Sequence, residues 1–130
     1  MFSHITVGTN DGAKAKAFYV KILGAVGLTL LHDLEEFGWY GFGVPGAQQA
    51  GFWVGKPANG EPATFANGGT IAFAAAKRSD VDAFYKAAME LGGKDEGGPG
   101  LRPHYHPNYY GAYVRDLDGN KLCCVCHRPE

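Results

Sequence analysis

Apolar residues recur at the spacing of a single helix face in two separate stretches of the chain. In each stretch they occupy positions i, i+3, i+7 and i+10, which lie on one side of an α-helix. The first set is Ala15, Phe18, Ile22 and Ala25, and the second set is Val81, Phe84, Ala88 and Leu91. The pattern predicts two amphipathic helices, each with one buried face.

The two stretches belong to an internal repeat with an offset of 66 residues. His4 and Ile5 align on Thr70 and Ile71, and the Ala-Phe-Tyr sequence at 17–19 aligns on the same three residues at 83–85. A constant offset of this length indicates two copies of one supersecondary unit. Each helix also follows a short apolar run, at 5–7 and at 71–75, so both units are predicted to begin with a strand and then a helix.

Three further strands are predicted after each helix. In the first half they are residues 26–32, 39–44 and 49–54, and in the second half a short strand near Lys94, then 109–115 and 121–127. Turn-forming residues separate them, including Asp118-Gly119, and residues 97–107 form a long loop. The fold class is therefore α+β: two β-α-β-β-β modules forming a mixed, partly open barrel with the helices outside.

The module boundaries follow from the turn-rich connector. Module one covers about 1–55, the connector about 55–69 and module two about 70–130, and a chain of 130 residues is expected to form one domain. Helix starts have side-chain signals as well. Asn10 or Asp11 could cap the first helix, and Ser79 with Asp82 resembles a capping box for the second.

Charge and composition exclude several classes of function. The net charge is -1 with both signs interspersed, so a basic surface for nucleic acid is not expected. No run of eighteen apolar residues and no signal-like N-terminus occurs, which predicts a cytoplasmic protein without a membrane partner. The three cysteines lie within residues 123–126, too local for a disulfide framework, and are expected to be reduced thiols.

Three segments carry a resemblance to a known family. They are residues 109–120, which read YYGAYVRDLDGN, residues 100–107, which read GLRPHYHP, and residues 52–55, which read FWVG. Together with the module order, they resemble the vicinal oxygen chelate superfamily, which contains glyoxalase I, the bleomycin-resistance proteins and the extradiol dioxygenases. The resemblance implies a small-molecule ligand in a cavity between the modules, and a homodimer.

The resemblance also implies a divalent metal held by the first and last strands of each module. Carried over by position, His4 and Cys123 are the candidate metal ligands. Thr70 stands where the second module would supply another ligand, and the strand near 50–53 offers none. The ligand set is incomplete, so a site without metal is the alternative. The alternative is that His4 is a hydrogen-bonded strand residue and Cys123 a small buried hydrophobe.

Other candidate site residues come from the long loop and the strands beside it. His4, His104, His106 and Tyr110 could carry protons, although both loop histidines could simply be exposed. Arg102 could hold an anionic group with paired hydrogen bonds, or could anchor its own loop. Trp53, Tyr105 and Thr70 are candidate substrate-binding residues, and Tyr109, Tyr110 and Tyr113 are expected to line an aromatic cavity or pack in the core.

Two functional hypotheses result. The first is a glyoxalase-like protein that binds a small oxygenated substrate between its modules, with lyase or isomerase activity. The second is a protein of the bleomycin-resistance type, which sequesters an aromatic or cationic compound without catalysis. A metal-dependent enzyme would lose its activity with a chelator, whereas a sequestering pocket would not.

Overall fold

The computed structural model describes all residues, 1–130, and confirms the two β-α-β-β-β modules. Module one contains β1 (Ile5–Gly8), α1 (Gly12–Gly24), β2 (Thr29–Leu34), a 3₁₀ turn (Glu35–Phe37), β3 (Trp39–Gly43) and β4 (Phe52–Gly55). Module two contains β5 (Ile71–Ala74), α2 (Arg78–Glu90), β6 (Lys94–Leu101), β7 (Tyr110–Arg115) and β8 (Lys121–Cys126). Neither helix is long and apolar enough to cross a membrane.

Each module forms its own four-stranded mixed sheet. The strand orders are β1-β4-β3-β2 and β5-β8-β7-β6, and in both sheets the first strand is parallel to the last while the other pairs are antiparallel. The helix supplies the crossover that a parallel pair requires. No ladder joins β1 to β5, so the sheets meet without closing into a barrel.

The N-terminal ends of the two helices are satisfied in different ways. Asp11 has an extended backbone and accepts a hydrogen bond from the backbone N–H of Lys14, which is the predicted cap of α1. The predicted capping by Ser79 was wrong, because α2 begins at Arg78 and Ser79 lies inside its first turn. The Arg78 N–H instead donates to the Glu130 carboxylate at 2.6 Å, a contact between residues 52 positions apart.

Strand ends also differ from the sequence prediction. β6 continues through Leu101, although residues 97–101 were predicted as loop. Two register shifts, on either side of Gly97, let the glycine-rich strand stay paired with β7, and Gly97 has a φ of +137° that side chains rarely adopt. The β6–β7 loop is therefore shorter than expected, from Arg102 to Tyr109.

The helices cover one face of both sheets with a single apolar core. Phe18, Ile22, Phe84 and Ala88 are buried on the helices, as the apolar spacing predicts. At one end of this core the Tyr19 hydroxyl donates to the carboxylate of Asp116, in the turn after β7. The turn is thereby tied to α1. The residues that alternate with the core side chains form the other side of the sheets, which we call the open face.

Candidate functional site

The open face of module two has cysteine and tyrosine side chains at its centre. Cys123 pairs with Ala72 on one neighbouring strand and with Tyr113 on the other. Cys124 and Cys126 point to the opposite side and belong to the core. This alternation is the one predicted for a strand, and it separates Cys123 from the other two thiols.

A hydrogen-bonded group, which we call the thiol–phenol cluster, consists of Tyr109, Tyr113 and Cys123. The two tyrosine hydroxyl oxygens lie 2.7 Å apart, and the Tyr109 hydroxyl oxygen lies 3.6 Å from the Cys123 sulfur. Burial raises the pKa of all three groups above their ordinary values. The cluster is therefore uncharged near neutral pH and holds three transferable hydrogens.

Two cations flank the cluster. The Arg102 guanidinium lies 5.7 Å and the Lys121 ammonium 5.5 Å from the centre of the Tyr113 ring. Their charges act to lower the pKa of Cys123, but burial outweighs them. Neither cation is in a salt bridge, because the three ion pairs of the protein involve other residues. The nearest carboxylate, that of Glu96, is in a salt bridge with Arg115, and the charge of Lys121 helps to lower its pKa after the Arg115 hydrogen bond.

Arg102 has a structural contact in addition to its charge. Its two terminal nitrogens donate to the carbonyl oxygens of Gly98 and Gly100, at 2.9 and 2.8 Å. These bonds fix the loop on the bulged end of β6. Because a guanidinium has five N–H donors, three remain for a ligand.

Histidines of the β6–β7 loop lie beside the cluster. The Asn108 N–H donates to Nδ1 of His106, so a neutral His106 carries its proton on Nε2 and donates it to Nδ1 of His127 at 2.7 Å. The Tyr109 ring packs against both imidazoles. The His104 ring packs at a tilt against Tyr105, whose ring contacts Tyr109 in turn. The structure thus brings His104, Tyr105 and His106 together around Tyr109.

Tyr110 does not join this group. Its hydroxyl donates to the Asp82 carboxylate on α2 at 2.7 Å, on the helix side of the sheet. That hydrogen bond raises the pKa of Tyr110, so its proton is held more tightly than usual. The structure therefore separates Tyr110 from the loop histidines with which it was grouped as a proton carrier.

The positions expected for metal ligands can be assigned from the strand register. Ile5 pairs with Phe52 and Ile71 with Leu122, so Trp53 is the counterpart of Cys123. The four positions are thus His4, Trp53, Thr70 and Cys123. His4 is exposed with Nδ1 next to the Ser3 hydroxyl, and no group of three His, Cys, Asp or Glu side chains in the chain could hold a metal ion. These residues do not fit the four-ligand metal centre.

Trp53 lies on the open face of module one. Its ring is parallel to that of His32, with 5.6 Å between centroids, and Nε2 of His32 lies 2.9 Å from the Gln48 carbonyl oxygen.

A separate apolar cavity of about 360 Å³ lies at the junction of the modules, with Ile5 and Phe52 on one side and Phe73 on the other. None of the candidate site residues lines the junction cavity, whose one polar side chain is that of Gln49.

Comparison with known proteins decides the family. The sequence model of the Glyoxalase/Bleomycin resistance protein/Dioxygenase superfamily matches residues 1–124, which is nearly the whole chain. The chain belongs to this superfamily. The resemblance carried by the three sequence segments is thereby confirmed.

Solved structures of superfamily members have the same fold. A glyoxalase/bleomycin resistance protein from Albidiferax ferrireducens T118 is 39% identical with a TM-score of 0.84, and the alignment covers 99% of each chain. A lactoylglutathione lyase from Agrobacterium tumefaciens is 22% identical with a TM-score of 0.64, covering 97% of this chain and 92% of that one. A glyoxalase-related enzyme from Fulvimarina pelagi is 16% identical, with a TM-score of 0.72 and coverage of 97% and 87%. No curated protein matches the chain.

Three residues of this superfamily member became candidates only with the structure: His32, Lys121 and His127. Lys121 begins β8 two residues before Cys123, so strand alternation could have placed it on the same face. The contacts of His127 with His106 and of His32 with Trp53 join residues 21 positions apart in each case. Only the pairing of distant strands brings them together, which the local sequence pattern does not indicate.

Proposed function

We propose that this superfamily member binds a small oxygenated molecule on the open face of module two, and that the thiol–phenol cluster takes the place of a metal. The observation that carries the proposal is that Cys123 occupies the last-strand ligand position and is hydrogen-bonded by Tyr109, which is paired with Tyr113. Neutral O–H and S–H groups donate hydrogen bonds to carbonyl, carboxylate or phenolate oxygens. A ligand oxygen would thus meet hydrogen-bond donors rather than a Lewis acid.

The charge of the site favours an anionic ligand. Arg102 and Lys121 flank Tyr113 and take part in no salt bridge, so a bound anion would pair with them. A charge-assisted hydrogen bond is stronger than a neutral one, particularly in a partly buried position. We therefore expect a small carboxylate or a comparable oxyanion to bind better than its neutral amide.

Lyase or isomerase activity is the second candidate, and the loop histidines favour it. His106 and His127 share a hydrogen bond beside the Tyr109 ring, and a neutral imidazole can accept or donate a proton near pH 7. Binding without catalysis and lyase or isomerase activity would both use this face.

We also propose that the protein acts in the cytoplasm as a homodimer, for which light scattering should give twice the 13.9 kDa chain mass.

The test is ligand binding with and without chelator. Calorimetric titration with pyruvate and with pyruvamide, before and after dialysis against EDTA, should show preferential binding of the carboxylate that EDTA does not change. Tyr113→Phe and Arg102→Gln should each weaken pyruvate binding, by about tenfold for a charge-assisted hydrogen bond. Phe2→Leu, at an exposed position outside the site, is the control. Binding that disappears with EDTA and returns with a divalent metal would refute the proposal.

Isomerisation of the hemithioacetal of methylglyoxal and glutathione, followed by absorbance, separates the two candidates. Turnover that falls in His106→Ala and survives EDTA supports proton transfer by the loop. No turnover together with intact pyruvate binding supports a binding protein without catalysis.

A further inference from the structure

Two histidines join the β6–β7 loop to the end of β8. Nε2 of His106, in the loop, lies 2.7 Å from Nδ1 of His127, the residue that follows β8, and the two rings stack with 5.0 Å between centroids. The backbone bonds of Tyr105 and Tyr109 stay between residues 102 and 109. The bond between His106 and His127 is therefore the one hydrogen bond that ties residues 103–108 to the protein outside this loop. We call His106 and His127 the imidazole pair.

The hydrogen-bond roles of His106 are fixed at both ring nitrogens. Its Nδ1 accepts the Asn108 N–H at 3.1 Å, and its Nε2–H donates to Nδ1 of His127. Both rings are neutral in this arrangement, because an imidazolium carries a hydrogen on each nitrogen and accepts no hydrogen bond. Proton uptake by the imidazole pair must therefore change the pattern.

The imidazole pair takes up protons in two steps, because its rings share a hydrogen bond. One added proton can stay between the rings in a charge-assisted bond, but Nδ1 of His106 then carries a hydrogen and the Asn108 N–H loses its acceptor. A second proton places a hydrogen on both facing nitrogens and a positive charge on each ring. The bond between His106 and His127 is then lost, and the two rings repel each other.

The surroundings of the imidazole pair do not offset these charges. No carboxylate forms a salt bridge with either ring, and the carboxylate of Glu130 is held by the first N–H of α2. Arg128, the next residue of the chain, carries a like charge. The Tyr109 ring packs against both imidazoles, but its hydroxyl lies in the thiol–phenol cluster. His104 packs on Tyr105. Nothing in contact with the rings thus favours two positive charges.

We propose that the imidazole pair makes the β6–β7 loop pH-dependent: it holds the loop beside the thiol–phenol cluster and releases it when both rings are protonated. Imidazoles change charge between about pH 5 and 8, so release falls in this range. Arg102 and Tyr109 are the two ends of the loop, and both contact Tyr113 in the cluster. Release would loosen a cation and a hydrogen-bond donor together. The release needs no ligand, whereas its effect on ligand binding rests on the proposed function.

Nuclear magnetic resonance relaxation of the backbone amides measures loop order without ligand. As the pH falls from about 7.5 to about 5, the Asn108 amide signal should shift first, and residues 103–108 should then gain fast motion together. His127→Ala should have a mobile loop at both pH values. His127→Gln keeps an acceptor that does not titrate, so its loop should stay ordered at both.

His4→Gln is the matched control, because it removes an exposed imidazole whose one hydrogen bond is with the Ser3 hydroxyl. Its loop should respond to pH as the wild-type loop does, and unchanged helix signals establish that the fold persists in acid. A wild-type loop that stays ordered at about pH 5 would overturn the proposal. Release of the His127→Gln loop with the pH dependence of the wild type would overturn it too.

Calorimetric titration with pyruvate tests the effect on the open face. Between about pH 7.5 and 5, the affinity of the wild-type protein should fall by about two- to tenfold, the net value of one hydrogen bond. Added positive charge alone would raise it, and His127→Gln should show no fall. Loop release without a fall in affinity would refute the regulation of binding. Absence of pyruvate binding at both pH values would instead refute the proposed function and leave the release of the loop intact.

Discussion

Tyr19→Phe should destabilise the protein through the loss of one buried hydrogen bond. The Tyr19 hydroxyl is buried and donates to Asp116, which also accepts hydrogen bonds from the backbone N–H groups of Asp118 and Asn120 and from the Asn120 side chain. Burial and the neighbouring carboxylate raise the pKa of Tyr19, so this hydroxyl keeps its proton and remains a donor through the neutral range. The variant removes the donor and leaves three others on the carboxylate.

The expected cost is about 2 kcal/mol, within the range of ~1.5–3 kcal/mol for a hydrogen bond to a charged group. For 130 residues the entropy of unfolding is about 0.27 kcal/mol/K, so the melting temperature should fall by about 7 °C. Urea denaturation followed by circular dichroism measures the free energy of unfolding, and calorimetry measures the melting temperature.

Tyr85→Phe is the matched control, because Tyr85 is the counterpart of Tyr19 in the internal repeat. Its hydroxyl donates to Asp95 in an exposed hydrogen bond of 3.0 Å, and its removal should change stability by less than about 0.5 kcal/mol. Equal effects of the two substitutions, or a loss below about 0.5 kcal/mol in Tyr19→Phe, would refute the reasoning that burial gives the Tyr19–Asp116 bond its strength.

Three further predictions concern the turn, the helix cap and the thiol. Gly119→Ala should cost about 1–2 kcal/mol, because Gly119 has a φ of +89° and a methyl there would meet Phe65 at 2.6 Å, whereas Gly68→Ala, in open space, should be neutral by urea denaturation. Glu130→Ala should remove the acceptor of the Arg78 N–H and lower stability by about 0.5–1 kcal/mol, while Glu130→Gln retains an oxygen and most of that stability. Burial raises the pKa of Cys123, so its stabilising effect is complete below the unfolded-state pKa of about 8.5 and is lost as pH rises toward the folded-state value. Iodoacetamide should accordingly label Cys123 slowly at pH 7.5 in the native protein and quickly in urea, and rapid native labelling at pH 7.5 would contradict this.

Local patterns predict the modules because the relevant forces are local. The spacing of Phe18, Ile22, Phe84 and Ala88 predicts which helix face is buried. The Asp118-Gly119 turn predicts the hairpin of β7 and β8. The start of α2 could not be predicted, because its first N–H is satisfied by Glu130 from the other end of module two. Continuation of β6 through its glycines depends on pairing with β7, which overrides the turn preference of those residues.

In the candidate site, too, local patterns predicted some features, and tertiary pairing determines the others. Alternation along β8 placed Cys123 on a different face from Cys124, and the loop sequence brought His104, Tyr105 and His106 into consideration. Tyr110 was predicted to carry protons together with the loop histidines, but its side chain lies on the helix side of the sheet and contacts Asp82 instead. Contacts across strands, such as that of His32 with Trp53, follow from tertiary pairing alone.

Because no backbone pairing joins β1 to β5, the chain could be divided into two fragments that each keep a whole sheet. All strand pairing lies within one sheet or the other, and the modules are joined by side-chain contacts such as Phe52 against Phe73 and the Asn120 amide on the Gly8 carbonyl. A chain divided within the connector would break no strand pairing. We expect the two fragments to recognise each other through their apolar surfaces, so that this protein could be rebuilt by fragment complementation and its halves exchanged with those of relatives.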